Sequence, residues 1–347
     1  MTTFEDFVQL EPREVPLGGP RGMTVHRTLP ARRTSLIGAW CFVDHFGPDD
    51  VSATDGMRVA RHPHTGLATV SWLFEGAITH RDSLGSHALV RPGDLDLMVA
   101  GPGITHSEFS ALDTTVLHGV QLWYALPDRA RFGDREFTVH TPDEVRTGTA
   151  CARVGLGALR AVDGDGAVLE DTSPVETATA LGMAQLDLRA GTALRIDLDP
   201  GHEHGVLVDR GAAHLRAGER ETPVVARELM VLPDGAAQLE ITAGAEEDLR
   251  VMLLGGEPLG EDIVMWWNFV GRTHEEIAAF RARYQAEIGV ELDLEDAPIA
   301  EVARERGGLA ADAEQFGPFA PHTPAALPAP TLPNGRLRSR GRRGLPA

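Results

Sequence analysis

From Arg61 to Phe109 the chain opens RHPHTGLATVSWLFEG and closes RPGDLDLMVAGPGITHSEF, with strand-like runs in which apolar and polar positions alternate. A period of two marks strands that bury one face. Turn signals at Asp82-Ser83-Leu84-Gly85 and Pro92-Gly93-Asp94 cut these runs short, which predicts a small antiparallel barrel. Val116 to Leu126, VLHGVQLWYAL, reads as a core strand closing that barrel, with Trp123 and Tyr124 as packing residues. From Met183 to Gly255 the alternation returns between Gly and Pro turns, as in AQLDLRAGTALRIDLDP, and predicts a second barrel. A helical period follows: Thr273 and Glu276 make a capping box, Ile277, Phe280 and Tyr284 form one stripe, and Gly289 ends it. LEDAPIAEVARERGG suggests a further short helix, started by Asp296 and Pro298 and stopped at Gly307. The Pro-rich stretch from Gly317 to Pro333 and the five arginines of RLRSRGRRGLPA read as a solvated tail, with docking on the chain's own acidic surface or on a partner as the alternative.

At 347 residues and 42% hydrophobic content the chain can bury two cores, so two domains are expected. The pattern places a first barrel at 1–130, connecting and crossing strands at 131–180, a second barrel at 181–270, C-terminal helices at 271–316 and the Pro/Arg-rich tail at 317–347. The net charge of -19 opposes direct contact with nucleic acid or anionic membranes. No apolar run is long enough to cross a bilayer and the first residues lack a leader pattern, so a cytoplasmic location is expected. Cys41 and Cys151 are too few for a disulfide framework. Lysine is absent, which excludes a P-loop, a pyridoxal Schiff base and a kinase nucleotide site. There is no GxSxG elbow either.

The chemistry-bearing residues come in pairs. His62 and His64 are spaced by two, so on a strand both imidazoles leave the same face and can converge on one ion. His106 and Glu108 repeat the spacing 41 residues further on, counting 65 to 105 between the pairs, and barrel closure would bring them together. Three neutral imidazoles and a carboxylate without thiolate suit Fe, Mn, Ni, Co or Zn. Four protein ligands leave an octahedral ion two positions for water, substrate or dioxygen. One transition metal per chain is expected.

These residues resemble the pirins, two-domain members of the cupin superfamily, in their bacterial-type form. The likeness lies in His62-Pro63-His64, Gly66, Thr69-Val70, Glu75-Gly76, His80-Arg81-Asp82-Ser83, Gly85, Pro92-Gly93-Asp94, Met98, Ala100-Gly101, Gly103 and His106-Ser107-Glu108. Flanking VDHFGP and LHGVQLW fit as well, and GGEPLGEDIVMWWNFVGRTHEEI continues it more weakly. Thr65, Leu67, Ala68 and Leu97 depart from residues frequent in the family, and Pro102 fills its variable position. With Ala68, Glu108 is the acidic ligand that remains. The resemblance implies two cupin-type jelly-roll barrels, an all-β fold, with His62, His64, His106 and Glu108 binding Fe(II). It further implies a quercetin 2,3-dioxygenase-like oxygenase acting with dioxygen on a small enolizable aromatic, in which Glu108 also takes the substrate proton. The alternative it carries is a non-catalytic, iron-dependent redox module that binds a regulatory protein partner.

Other histidines read more plainly. His45 is a structural residue or a support for the pocket, His80, Arg81 and Asp82 fix a hairpin at the rim, and His87 and His118 look bland. His202 and His204 repeat the HxH spacing in the second half, but no partner pair follows, so they read as solvated and the second barrel as metal-free.

Overall fold

The computed structural model describes residues 4–17, 23–54, 56–290, 314–318 and 325–342. The chain is all-β apart from one helix, His274–Glu287, and forms the two barrels that the alternation predicts. The first barrel faces a seven-stranded sheet with a four-stranded one. The larger sheet runs in the order Glu136–His140, Leu95–Val99, Leu67–Glu75, Val116–Ala125, Trp40–Asp50, Thr24–Leu29, Arg13–Pro16. The smaller runs Arg58–His64, Ile104–Ser110, Ile78–Asp82, His87–Val90. The second barrel repeats the plan with seven and six strands.

Apolar contacts fix the order of the layers. One core, with Val25, Phe46, Leu73 and Ile78, fills the first barrel. Another, with Leu194, Leu215, Leu239 and Val251, fills the second. The largest joins the two seven-stranded sheets through Trp40, Trp72 and Tyr124 on one side and Leu207, Met252 and Leu254 on the other. This explains why burial alternates strictly in the outer strand Ala212–Ala217, whereas Trp40–Asp50 is buried on both faces along most of its length. Three polar contacts cross the joint. Trp40 Nε1 donates to Gly255 O at 3.1 Å, Trp72 Nε1 to Gln185 Oε1 at 2.8 Å and the Gly38 amide to Glu203 Oε2 at 2.7 Å.

The chain also crosses between barrels. Val8–Leu10 pairs with Leu229–Val231 and so extends the sheet of the second barrel, although the residues that follow build the first. The helix starts as the sequence indicates, with the Glu276 amide donating to Thr273 Oγ1 at 3.1 Å. Its capping box is only half made, because the Glu276 carboxylate accepts from the Arg272 amide and from Arg131 instead. Ile277, Phe280 and Tyr284 are buried, and Gly289 follows the helix with a φ of 75°. The segment that suggests a second helix lies outside the described residues. Cys41 and Cys151 are free thiols.

The tail differs from expectation. Ser35 and Thr34 both donate to Arg342 O, Ile263 and Arg340 exchange backbone hydrogen bonds of 2.9 and 2.8 Å, and the Arg342 side chain pairs with Glu203 and Asp234. Earlier in the same segment the Leu327 amide donates to Arg61 O at 2.7 Å, and Tyr284 Oη donates to Leu327 O at 2.7 Å. Carboxylates of the second half and backbone groups of the first therefore dock a stretch whose composition alone reads as solvated. Its charge, set against a strongly acidic chain, is the physical reason.

The joint gives the first prediction. Trp40→Ala removes a fully buried indole and its hydrogen bond, so unfolding free energy should fall by about 3–5 kcal/mol in urea denaturation. Val168→Ala, on the exposed outer sheet, should change it by less than about 0.5 kcal/mol.

Candidate metal centre

Three of the four expected ligands meet. Arg58–His64 pairs antiparallel with Ile104–Ser110, and His106 lies directly across from His62. Ligand nitrogens of His62, His64 and His106 fall within 4.8 Å of one another, and all three residues are buried. His64 Nε2 is 3.0 Å from His106 Nε2. Glycines make the approach possible. Gly66 turns the chain after His64 with a φ of 63°, and a Cβ there would lie 2.4 Å from Val270 O. Its amide donates to Gly101 O at 2.9 Å, tying that turn to the one that leads into His106.

Glu108 lines the same cavity but stands apart from the three imidazoles. The register shifts between His106 and Glu108, so Glu108 pairs with Val59 rather than continuing the ladder in step. Ser71 Oγ donates to Glu108 Oε1 at 2.9 Å, and the Gln121 amide oxygen is 2.8 Å from the same hydroxyl. Burial raises the Glu108 pKa.

His62 and His64 carry their protons on the outside. His62 Nδ1 lies 2.9 Å from Ala60 O and His64 Nδ1 lies 3.2 Å from Asn268 O, contacts that require N–H there. Both residues thus turn bare Nε2 lone pairs into the cavity, the arrangement in which histidine binds metal. His106 Nδ1 is buried without a hydrogen-bond partner. Burial lowers the His62 pKa to about 4 and puts those of His64 and His106 well below the usual value, which keeps all three neutral. The donor set fits a transition ion of borderline hardness.

The Asn268 carbonyl reaches His64 through strain. The strands Val264–Trp266 and Phe269–Gly271 are joined by Trp267 and Asn268, and Trp267 takes a φ of 51°. A bulky residue in that region costs on the order of 1–3 kcal/mol. Here the turn aims one carbonyl at a ligand and one indole at the cavity.

The cavity holds about 600 Å³. Phe42, Trp123, Trp267 and Met265 give it an aromatic and thioether wall, with Phe42 and Trp123 stacked at 3.9 Å between centroids. Arg27 grips Asp44 through two hydrogen bonds of 2.7 and 2.8 Å and lies 4.2 Å over the Phe42 ring. Leu327 and Pro328 close one side.

Beside the site lies a buried acid network. His80, on the strand paired with Glu108, is 3.3 Å from Asp82 and 3.6 Å from Asp96. Asp82 does fix the hairpin, accepting from the Leu84 and Ser86 amides, but His80 points inward rather than to the rim. Burial opposes its charge, yet Asp96 and Asp82 outweigh that and raise its pKa. Burial pushes the Asp96 carboxyl up to about 7.

A second group forms away from this cavity. His45 Nε2 and His118 Nε2 approach the same oxygen of Asp209, at 2.7 and 2.5 Å, and Arg250 lies 3.5 Å from the other oxygen. Burial would raise the Asp209 pKa, but hydrogen bonds from His118 and His45 hold it far below the usual range. His118 is therefore not bland: it and His45 tie the first barrel to the second. Nor is His204 solvated. It is 9% exposed, with Nε2 3.0 Å from Asp199 O, while His202 remains partly exposed at the mouth of the second barrel.

Fold and site together define a two-barrel protein carrying a three-histidine, metal-type centre in its first barrel. A family model described as Pirin matches residues 22–124, and one described as Pirin C-terminal cupin domain matches residues 183–288. The chain is 40% identical over 268 residues to a Pseudomonas aeruginosa protein named "putative quercetin 2,3-dioxygenase", covering 77% of this chain and 79% of that one. It is similar to the crystal structure of a quercetin 2,3-dioxygenase from Acinetobacter baumannii, with TM-score 0.78, 34% identity and coverage of 96% and 98%. A nickel(II) complex of a bacterial pirin from Escherichia coli shares the fold at TM-score 0.53 and 15% identity, covering 73% and 99%. The chain belongs to the pirin family.

Two predictions follow from this geometry. Replacing His62, His64 or His106 by alanine should weaken metal retention by more than about 100-fold, beyond the loss typical of a supporting residue, as read by dialysis and elemental analysis. The same change at His202 should leave retention of that ion unaltered. Asp96 titrates at 3.8 when unfolded and near 7 when folded, so the folded state holds the extra proton and stability falls as pH rises across that window. Asp96→Asn lacks this loss. Its melting temperature should gain on the wild type from about pH 4 to about pH 7 and then keep a constant lead; parallel profiles would refute the assignment.

Proposed function

We propose that the first barrel is an oxygenase site of the quercetin 2,3-dioxygenase type. It holds one iron(II) through His62, His64 and His106, with Glu108 as the fourth ligand, and opens the ring of flavonol-like enolizable aromatics with dioxygen. The observation that carries this reading is the convergence of three neutral imidazoles inside a cavity that is both roomy and walled by aromatic rings. A bound redox-active ion would acidify a chelating enol and give dioxygen a source of electrons.

The chain supplies the rest. Trp123, backed by the Phe42 ring stacked on it, and Trp267 form an apolar wall that excludes water and takes a planar substrate beside the histidines. Glu108 is placed to accept the enol proton. Burial has already raised its affinity for that proton, and Ser71 holds the carboxylate in place without blocking its second oxygen. His80, buried behind it and balanced by Asp96 and Asp82, keeps compensating charge close to the carboxylate. Access to the site favours catalysis over the regulatory module, because a sensor needs no room of about 600 Å³ beside its ion.

The test is direct. Metal content should be measured first, then oxygen uptake and carbon monoxide release with quercetin and a panel of enolizable aromatics. Turnover by metal-loaded protein and none by apoprotein is expected; loaded protein inert towards the whole panel would overturn the reading. Glu108→Gln should lower turnover per bound metal by about 10²-fold to 10⁴-fold, the scale of general-base assistance, while metal content falls less. Equal turnover per bound metal would leave Glu108 a ligand only.

A further inference from the structure

The metal cavity is bordered by three arginines, Arg13 and Arg27, which face each other on paired strands, and Arg340 from the docked segment. Only Arg27 has a carboxylate, Asp44, and it takes both oxygens. Arg13 donates to a neutral group, Pro30 O, at 2.7 Å. Among the described residues the Arg340 side chain has no hydrogen-bond or carboxylate partner, and its Nε is buried. Burial lowers the Arg340 pKa, the nearby Cys41 thiol works against this, and neighbouring Arg13 adds to the lowering. Two guanidinium groups within electrostatic reach of each other thus face the cavity in a protein of net charge -19, and among the described residues no carboxylate pairs with Arg340.

This is not a loose end. The Arg340 backbone is held by Ile263 on both its N–H and its C=O, and two residues on Arg342 is anchored by Glu203, Asp234, Thr34 and Ser35. Glu203 and Asp234 are thus engaged by Arg342, and Arg340 lines the metal cavity. An unpaired, partly desolvated guanidinium binds carboxylate or sulfonate strongly, because the desolvation is already paid and the hydrogen bonds are charge-assisted.

We propose that Arg340, supported by Arg13, forms an anion subsite of the metal cavity, so that the preferred substrate is an aromatic enol bearing a negatively charged substituent away from the enol. The inference rests on the metal cavity being the substrate site. The aromatic wall takes the ring, the histidine centre faces the enol, and Arg340 takes the charge. Flavonols without an acidic substituent then fill only part of the site. The segment that carries Arg340 lies beyond residue 288, where the matched family domain ends, so this preference would be a feature of chains that share the docked segment.

The test compares two matched pairs by binding to metal-loaded full-length protein without oxygen, read by quenching of tryptophan fluorescence. The pairs are 2-naphthol with 2-naphthol-6-sulfonate, and quercetin with quercetin-5′-sulfonate. The wild type should bind each sulfonate at least about tenfold more tightly than its neutral parent, the scale of one charge-assisted pair. Arg340→Ala should abolish that preference while changing affinity for the neutral parents less than about twofold, and Arg13→Ala should reduce it in part. Arg338→Ala, on the exposed face of the same segment, should keep it. Equal binding of charged and neutral partners by the wild type, or a preference that survives Arg340→Ala, overturns the subsite. If quercetin binds but neither pair shows a charge preference, the subsite fails and the oxygenase reading stands. If the naphthol sulfonate binds through Arg340 and neither flavonol binds, the subsite stands and the flavonol reading fails. If none of the four binds, both fall.

Discussion

Everything at the centre depends on one ladder, the antiparallel pairing of Arg58–His64 with Ile104–Ser110. It sets His62 opposite His106, and the period of two brings His64 onto the same face. Three imidazoles packed so closely in a dry interior must stay neutral, since charging them would add mutual repulsion to the loss of water. Carbonyls of Ala60 and Asn268 then select which nitrogen is bare. A slip of one residue in this pairing would turn the histidines out of the barrel.

The second barrel takes no direct part in that ladder, yet it supports what surrounds it. Gln185 receives the indole of Trp72, next in the chain to the Ser71 that holds Glu108, and Gly255 receives Trp40, two residues from Phe42. Asp209 binds two histidines of the first barrel at once. The two seven-stranded sheets therefore act as one wall, in which large aromatic groups bring bulk and their N–H groups find partners across the joint. A duplicated barrel that merely covered the first would not need such specific polar ties.

What could be read in the sequence followed from local periodicity. His62, His64 and His106 were legible because strand spacing alone puts paired residues on one face, and the helix start was legible from Thr273. Glu108 was legible as a cavity residue, but the register shift beside it was not, since a bulge leaves no mark in the spacing of the histidines. Ser71, Asn268 and Arg340 were missed for a different reason. They reach the site from 37 residues before Glu108, from 204 residues after His64 and from the docked segment, and only sheet packing brings them there. His118 and Asp209 are 91 residues apart and lie in different barrels. Asn268 had a faint signal, in that two tryptophans ahead of an asparagine between short apolar runs suggest a tight turn.

The exchange of Val8–Leu10 into the second barrel has a consequence for how the molecule is made. Its partner strand, Leu229–Val231, is synthesised more than 200 residues later, which at ordinary rates of translation is a delay of roughly 10–40 seconds. Through that interval the early segment has no sheet to join, and the later one emerges with an open edge. Asp234 then gathers both ends, accepting from the Phe4 amide and from Arg342, whose guanidinium lies 4.6 Å over the Phe4 ring. The seal can form only once Arg342 has left the ribosome. Barrels can collapse during synthesis, but the wall between them is locked only after Arg342 has emerged, so a product cut short before that residue would lack this clasp.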